Sequence, residues 1–421
     1  MEEDTLDILN FWSSTVLDLI FQHLNGKEIL AATLVSRPWN EFLSSNSLIA
    51  WRDVTIQPKI SEDFCYLVNS KRRFQNLIAV NISAILPEFL EIVKKPGRKW
   101  KLICICRQMF TDESQMLEIL KASAKTIQKL ELHTITKMQS NEEELTIPAV
   151  YPQLKHLRIF YHFLDDSPTW LNKFITATPK LETIHITNGC DINMRNIILS
   201  SKNLKKLSLA GRFSDSDFFR ELSKNLPSRL EEFEFNDILS SSESDENLSY
   251  FNNFFKSQSK TLRKFETDAL LELDEFETAF KMPKLETLII KSFHYNRLLI
   301  DDYLDNLRRS EITPSSLKVF NVQLMDQKLL ELLALHATNL EKLRADELTA
   351  TDASNPIWFP KLEIFQVFYL CPGIDDAINA KPETARTRFE QLIFTGVINR
   401  NIADHLSHQE IAREILVVID G

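Results

Sequence analysis

An apolar pattern recurs at a nearly constant interval along most of this chain. Each copy has an apolar residue, two variable residues, a second apolar residue, one variable residue and usually a third apolar residue, as at Leu77, Val80 and Ile82. Successive copies begin 22 to 32 residues apart, with a mean step of 26 residues. The thirteen copies start at Leu77, Trp100, Ile127, Leu154, Leu181, Leu204, Leu230, Leu262, Leu285, Leu317, Leu340, Leu362 and Phe389. The pattern predicts one short parallel strand in each repeat.

The stretches between these strands have the spacing and the first-turn residues of helices. Acidic residues or proline suit the start of a helix, because they match its dipole or its unpaired N–H groups. The predicted helices begin at Asp112, Pro168, Asp217, Asp301 and Asp326. Segment 239–247, "LSSSESDEN", is predicted to be an inserted acidic loop, and a fourteenth, weaker strand is predicted from Ala412 to Val417.

A strand and a helix repeated with this period resemble the leucine-rich repeats (LRRs). The resemblance implies an α/β fold, a curved solenoid of about 13 to 14 repeats over residues 60–421, with a parallel sheet inside and helices outside. Such arrays present an extended surface to other proteins. The question of function is therefore which proteins the chain binds, rather than which reaction it catalyses.

The inner wall of the solenoid supplies the candidate target-binding residues. Side chains alternate between the two faces of a strand, so the residues between the apolar core positions line this wall. The candidates are Phe160, Glu232, Glu234, Glu266, Asp268, Ile289 and Phe368. The four carboxylates form a predicted acidic patch suited to a basic segment, and the three apolar residues are candidate anchors for the same target. Taken singly, each is also what an ordinary solvated surface carries.

The first 57 residues lack the repeat and show helical spacing instead. Val16, Leu17, Ile20 and Phe21 fall on one face of a predicted helix that the serines at 13 and 14 can cap. Pro38 suits the first turn of a further helix, since its missing N–H has no partner to lose there. A small all-α module is predicted at this end, with an extended segment at 54–56.

This module, over residues 9–57, resembles an F-box. The matching residues are Leu17, Ile20, Phe21, Leu24, Glu28, Ile29, Val35, Arg37, Trp39, Trp51 and Arg52. The family usually opens with Leu-Pro, where this chain has Trp12-Ser13. The resemblance implies docking onto the Skp adaptor of a cullin-RING ubiquitin ligase. The candidate adaptor-binding residues, expected to face partly outward, are Leu17, Ile20, Phe21, Val35, Trp39 and Trp51.

Together the two parts predict a substrate receptor of a Skp–cullin–F-box ubiquitin ligase, monomeric within the complex, that holds a target protein for ubiquitination. The alternative is an LRR scaffold or inhibitor without a ligase, in which residues 1–57 are only a cap that covers the end of the array. In that alternative, Val35 and Trp39 should be fully buried.

Composition also bears on which ligands and reactions are expected. The 421 residues carry a net charge of −10 and only seven glycines, none in a GxG or GxxxxGK motif, so phosphate-binding loops are not expected. The five cysteines include no CxxC, and Cys104 and Cys106 are expected to be free thiols. We expect a non-catalytic protein of the cytoplasm or nucleus, without metal or cofactor and without a nucleic-acid or membrane partner.

Overall fold

The computed structural model describes most of the repeats and parts of the N-terminal segment. The described residues are 12–13, 16–17, 20–21, 28, 31–32, 34–45, 53–56, 75–80, 87–106, 113–135, 150–161, 178–187, 192–211, 217–226, 229–236, 245–268, 273–291, 315–349, 361–370, 389–395 and 412–418. The chain divides into two compact units, Met1–Asn203 and Leu204–Gly421.

The first unit contains a parallel sheet whose strands follow one another in sequence order. Its strands are β1 (Asp53–Ile56), β2 (Asn76–Val80), β3 (Leu102–Cys106), β4 (Lys129–Ile135), β5 (His156–Tyr161) and β6 (Thr183–Thr187). Its helices are α1 (Arg37–Ser45), α2 (Pro87–Lys94), α3 (Glu113–Ser123) and α4 (Ile192–Ser200).

The second unit repeats the arrangement with nine described strands, all paired in parallel and in sequence order. The strands are β7 (Lys206–Ala210), β8 (Glu232–Asn236), β9 (Lys264–Thr267), β10 (Thr287–Ile290), β11 (Val319–Asp326), β12 (Lys342–Thr349), β13 (Ile364–Leu370), β14 (Phe389–Thr395) and β15 (Ala412–Val418). The helices are α5 (Asp217–Asn225), α6 (Asp245–Gln258), α7 (Leu273–Lys281) and α8 (Gln327–His336).

One backbone hydrogen bond recurs where each strand is entered. The N–H of the residue just before a strand donates to the equivalent carbonyl one repeat earlier, as from Gln128 to Lys101 at 2.7 Å and from Lys155 to Gln128 at 2.9 Å. The second unit has the same bond from Glu231 to Lys205 at 2.8 Å. This bond sets the register of each repeat on the one before it, so equivalent positions form rows across the strands.

The predicted alternation of side chains is confirmed. In β6 and β8 every second residue is buried and the residues between are half-buried. The helices pack on the buried face, where the ring centroids of Phe219 of α5 and Phe235 of β8 lie 5.2 Å apart. We call the opposite face of each sheet the open face.

Phenylalanine dominates the core of the second unit beneath β8 and β9. The rings of Phe233 and Phe254 meet edge to face at 5.2 Å, and those of Phe255 and Phe265 lie 4.5 Å apart. All four rings are essentially inaccessible to water. Each such ring buries a large apolar area and gains further stabilisation from the ring geometry, so this cluster is a major apolar contact between α6 and strands β8 and β9.

Most of the predicted elements agree with the structure, and a few differ. The helices expected after residue 112, at Asp217 and after Asp326 are present as α3, α5 and α8, and the fourteenth strand is β15. Helices α2, α4 and α7 were not predicted. Helix α4 has no acidic residue in its first turn, but α2 begins with Pro87 and α7 has Asp274 in its first turn, so these two start signals were missed. The helices expected at Pro168 and Asp301 lie outside the described residues.

The start of α6 and the pairing of β1 also differ from expectation. The predicted loop 239–247 is wrong at its end, because Asp245–Asn247 form the first turn of α6, where acidic residues suit the helix dipole. Strand β1 falls within the range of the predicted module, yet it pairs in parallel with β2, Val54 opposite Leu77. The N-terminal segment thus runs directly into the sheet.

Truncation of a core ring tests the phenylalanine cluster. Replacing Phe254 by Ala should lower the free energy of unfolding by about 3–5 kcal/mol, because a large buried cavity is left behind. Urea unfolding followed by circular dichroism measures the change. Lys256→Ala, an exposed position on the same helix, is the matched control and should change it by less than about 0.5 kcal/mol. A loss below about 1 kcal/mol for Phe254→Ala would contradict the packing described.

Candidate functional site

The N-terminal segment separates into buried and exposed apolar residues. Leu17 and Phe21 are buried, and the Phe21 ring meets the half-buried Trp39 edge to face at 5.5 Å. Ile20 and Val35 are exposed, Val35 to 65%. The expectation that these residues face partly outward is therefore wrong for Leu17 and Phe21, which are both buried. The Phe21 ring also lies 6.1 Å from the ring of Phe42, on the same helix as Trp39. Trp51 lies outside the described residues.

The open face of the first unit brings aromatic, basic and thiol groups together. Cys104, Glu131, Arg158 and His185 occupy one row across β3 to β6, each paired with the next. In the neighbouring row the ring of Phe160 stacks on an imidazole.

Phe160 is a predicted anchor, and its ring is covered from two sides. The imidazole of His133 stacks on it with centroids 4.0 Å apart and an interplanar angle of 22°, and the Arg158 guanidinium lies 4.5 Å from its centroid. The His185 ring lies 5.4 Å away. Phe160 is thus half-buried by polar neighbours of its own sheet, which fixes its orientation and reduces the apolar area open to a partner.

Glu131 sits at the centre of this face and is almost fully buried. The His133 imidazole, 3.8 Å from its carboxylate, holds the pKa of Glu131 well below its usual range. Burial opposes this shift, while the Lys129 ammonium at 2.7 Å and the Cys104 thiol reinforce it. The Cys104 and Cys106 sulfurs lie 3.3 Å apart as free thiols, as predicted, and burial raises the pKa of Cys104 above its ordinary value.

The open face of the second unit holds the predicted acidic patch, and each of its carboxylates has a partner. Glu232 binds Lys206 at 2.6 Å. Glu266 binds two ammonium groups, Lys264 at 2.8 Å and Lys291 at 2.7 Å. We call Lys206, Glu232, Glu234, Lys264, Glu266 and Lys291 the Glu–Lys network.

Glu234 differs from Glu232 and Glu266 because it accepts hydrogen bonds from neutral side chains. It accepts hydrogen bonds from the Ser208 hydroxyl at 3.0 Å and from the Asn236 amide at 2.9 Å. Asp268 lies beside this network, half-buried and interacting with its surroundings. Three lysines among four carboxylates leave little net negative charge. The prediction of an acidic patch is therefore corrected to a mixed-charge network, because the same open-face positions that carry Glu also carry Lys.

The network shifts the titration of its central pair. Burial alone would raise the pKa of Glu266, but the hydrogen bonds from Lys264 and Lys291 outweigh it and the pKa is lowered. Burial likewise would lower the pKa of Lys264, and the Glu266 carboxylate outweighs it, so that pKa is raised. The folded state therefore favours the charged forms of both groups.

The other two predicted anchors, Ile289 and Phe368, lie in the second unit. Ile289 is half-buried on the open face of β10, in the same row as Glu266. Phe368 lies in β13, and its side chain is outside the described part of the chain. Sequence reasoning missed the pairing of the thiols with Glu131 and His133, because these residues are one repeat apart in the chain and meet only through the strand register.

Parallel strands, one in each described repeat, with helices packed on one face are consistent with an LRR type of fold. The chain is similar to the solved structure of an LRR protein of Leptospira interrogans, with a TM-score of 0.30 and 11% identity over 90% of this chain and 93% of that chain. That likeness is too distant to carry an argument about function. No protein-family model matches this chain, and no curated protein matches it. Among the described residues, no helix is both long and apolar enough to cross a membrane.

Titration of Glu266 gives a test with a defined sign. Its lowered pKa contributes stability that is fully present above the ordinary glutamate value of 4.5 and is lost as the pH falls through the folded value. Glu266→Gln should therefore lower the free energy of unfolding by about 1–2 kcal/mol at pH 7, and by progressively less below about pH 4.5. Urea unfolding across this pH range measures the difference.

Glu232→Gln provides the matched control. The Glu232 side chain is 43% exposed and binds one lysine, whereas the Glu266 side chain is 13% exposed and binds two. Exposed ion pairs contribute at most about 1 kcal/mol, so the control should change stability by less than half as much. Equal effects of the two substitutions, or a Glu266 effect that grows on acidification, would contradict the charge network described.

Proposed function

We propose that this chain is the substrate receptor of a Skp–cullin–F-box ubiquitin ligase. The N-terminal module would dock on the Skp adaptor, and the repeats would hold a target protein. Catalysis would belong to the partners, while this chain contributes proximity by binding two proteins at once. The proposal implies a cytoplasmic or nuclear location and a non-catalytic role.

The observation that carries the proposal is the concentration of exposed apolar side chains near the N-terminus. Within the described residues, seven large apolar side chains are exposed, and five of them lie between residues 12 and 35. They are Trp12, Val16, Ile20, Leu34 and Val35. Leu34 is 81% exposed, whereas Trp39 and Phe42 of the helix that follows are half-buried and Leu43 is buried. Exposed apolar side chains concentrated in one segment are typical of a protein-binding surface.

The sequence of the same segment supports a Skp adaptor as the partner. The exposed Ile20 and Val35 are among the residues that carry the resemblance to an F-box. The buried Leu17 and Phe21 would then support the docking surface from below, together with Trp39. The open faces of the sheets, with the His133–Phe160 stack in one unit and the Glu–Lys network in the other, are the candidate target-binding surfaces.

The alternative function, an LRR scaffold without a ligase, is favoured by one specific observation. Strand β1 pairs with β2, so the N-terminal segment supplies the first strand of the sheet, as a cap that is continuous with the array would. The exposure of Val35 counts against a purely capping role, since a cap residue that covers the array should be buried.

Co-purification with the adaptor separates the two functions. The full chain should form a stable complex when co-expressed with the Skp adaptor. Val35→Asp should weaken that complex at least about tenfold, because binding would bury an unpaired carboxylate. Surface plasmon resonance with the purified adaptor measures the affinity.

Val150→Asp is the matched control. Val150 is 59% exposed, close to the 65% of Val35, and lies far along the chain in the repeats, so its substitution should leave the affinity unchanged. Both variants should keep the unfolding midpoint of the parent chain, since each introduces charge at an exposed site. A folded chain that does not bind the adaptor, or equal effects of the two substitutions, would favour the scaffold function instead.

A further inference from the structure

Two adjacent strands of the first unit place four metal-binding side chains on one patch of the open face. Cys104 and Cys106 lie two residues apart on β3, and Glu131 and His133 lie two residues apart on β4. Alternate residues of a strand point to the same side, and the register sets Cys104 directly opposite Glu131. The four side chains therefore lie next to one another, two on each strand.

The possible ligand atoms of three of these side chains already lie close together. The two sulfurs are 3.3 Å apart, and one ligand atom from each of Cys104, Cys106 and His133 lies within 4.8 Å of the others. The Nε2 atom of His133 is shielded from solvent and has no hydrogen-bond partner within the described part of the chain. Its nearest carboxylate oxygen, on Glu131, is 3.8 Å away, which is too long for a hydrogen bond.

We propose that Cys104, Cys106 and His133 bind a zinc ion on the open face of the first unit. Two sulfurs and one imidazole are the ligands that zinc takes in proteins, whereas magnesium and calcium take oxygen ligands. This inference is independent of the proposed ligase function. It also replaces the expectation, drawn from the spacing of residues along the chain, that the protein carries no metal.

The geometry requires only small movements. Zinc–sulfur bonds of about 2.3 Å and zinc–nitrogen bonds of about 2.0 Å in a tetrahedral site place the two sulfurs about 3.8 Å apart and each sulfur about 3.5 Å from the nitrogen. The sulfurs would separate by about 0.5 Å from their present 3.3 Å, and the imidazole nitrogen would approach the sulfurs by at most about 1.3 Å.

The surroundings hold these ligands and balance the charge. The Phe160 ring stacks on the His133 imidazole at 4.0 Å and limits its rotation. On binding, each thiol loses its proton to solvent, and the two thiolates neutralise the two positive charges of the ion. Glu131 is already paired with Lys129 at 2.7 Å, so its charge is balanced separately. Glu131 or a water molecule would complete the four ligands.

A disulfide is the competing use of these two thiols. Cysteines two residues apart on one extended strand seldom form an unstrained disulfide, because their Cβ atoms lie farther apart than the bond requires. The imidazole beside them has no role in such a bond. Zinc uses all three groups.

The test uses the full, tag-free chain, purified under reducing conditions and freed of metal by a chelator. We expect one zinc ion per chain by elemental analysis after zinc is added and excess is removed. Cobalt(II), as a spectroscopic substitute, should give thiolate-to-metal charge transfer and the visible bands of tetrahedral coordination. Cys106→Ser and His133→Ala should each weaken zinc binding at least about tenfold, the loss that even an outer-shell change produces.

Cys371→Ser and His156→Ala are the matched controls. Each removes a thiol or an imidazole that takes no part in the proposed site, and zinc binding should be unchanged. A parent chain without a thiolate–cobalt band would overturn the proposal. Zinc binding that survives either Cys106→Ser or His133→Ala would overturn it as well.

A measurement on the unmodified chain guards against variants that fail to fold. Zinc should slow the alkylation of Cys104 and Cys106 by N-ethylmaleimide, read peptide by peptide in a mass spectrometer. Cys65, Cys190 and Cys371 provide the internal comparison, since their alkylation should keep its rate. Equal rates for Cys106 with and without zinc would overturn the proposal.

Discussion

The register of the parallel strands is the constraint on which the rest of this structure depends. Each repeat is fixed to the previous one by the backbone bond that enters the strand, as from Gln128 to Lys101. Since side chains alternate between faces, that one register decides which residues enter the core and which remain on the open face. A shift of one residue would move Phe233 and Phe235 to the open face and bring Glu232 and Glu234 into the core.

The same register places like charges opposite each other on the open face, and neighbouring side chains compensate for them. Glu234 lies directly opposite Glu266, and like charges at paired positions are unfavourable. Lys264 and Lys291 neutralise Glu266, while Ser208 and Asn236 donate hydrogen bonds to Glu234. The outcome is a network in which no carboxylate depends on an external cation. A basic partner would have to replace these internal contacts, and so the charge of this face favours specificity more than raw affinity.

Much of the fold follows from the sequence, and the reasons are particular. The apolar period places the strands, and acidic residues at or just before the helix start place α3, α5 and α8, because both signals are local. Helix α4 has no acidic residue in its first turn, whereas α2 and α7 carry start signals, Pro87 and Asp274, that the sequence prediction missed. Parity correctly identified the open-face residues whose side chains the structure describes. It did not predict their partners, because these depend on the neighbouring strand: Glu266 binds two lysines, and Cys104 interacts with Glu131.

The repeats also explain how different chemistry can coexist on one scaffold. Residues on the buried face must fill a shared core, so Leu, Ile and Phe recur there from Leu77 to Leu362. A row on the open face contributes nothing to that core, and its residues change freely from strand to strand, as in the row Cys104, Glu131, Arg158 and His185. Adjacent strands then bring unlike groups within bonding distance without changing the residues of the core. Residues two positions apart on the same strand lie in neighbouring rows. A binding site can therefore combine groups along a strand with groups on the adjacent strand. Because this freedom is confined to one face, the sheet can change its ligands or partners without changing its core.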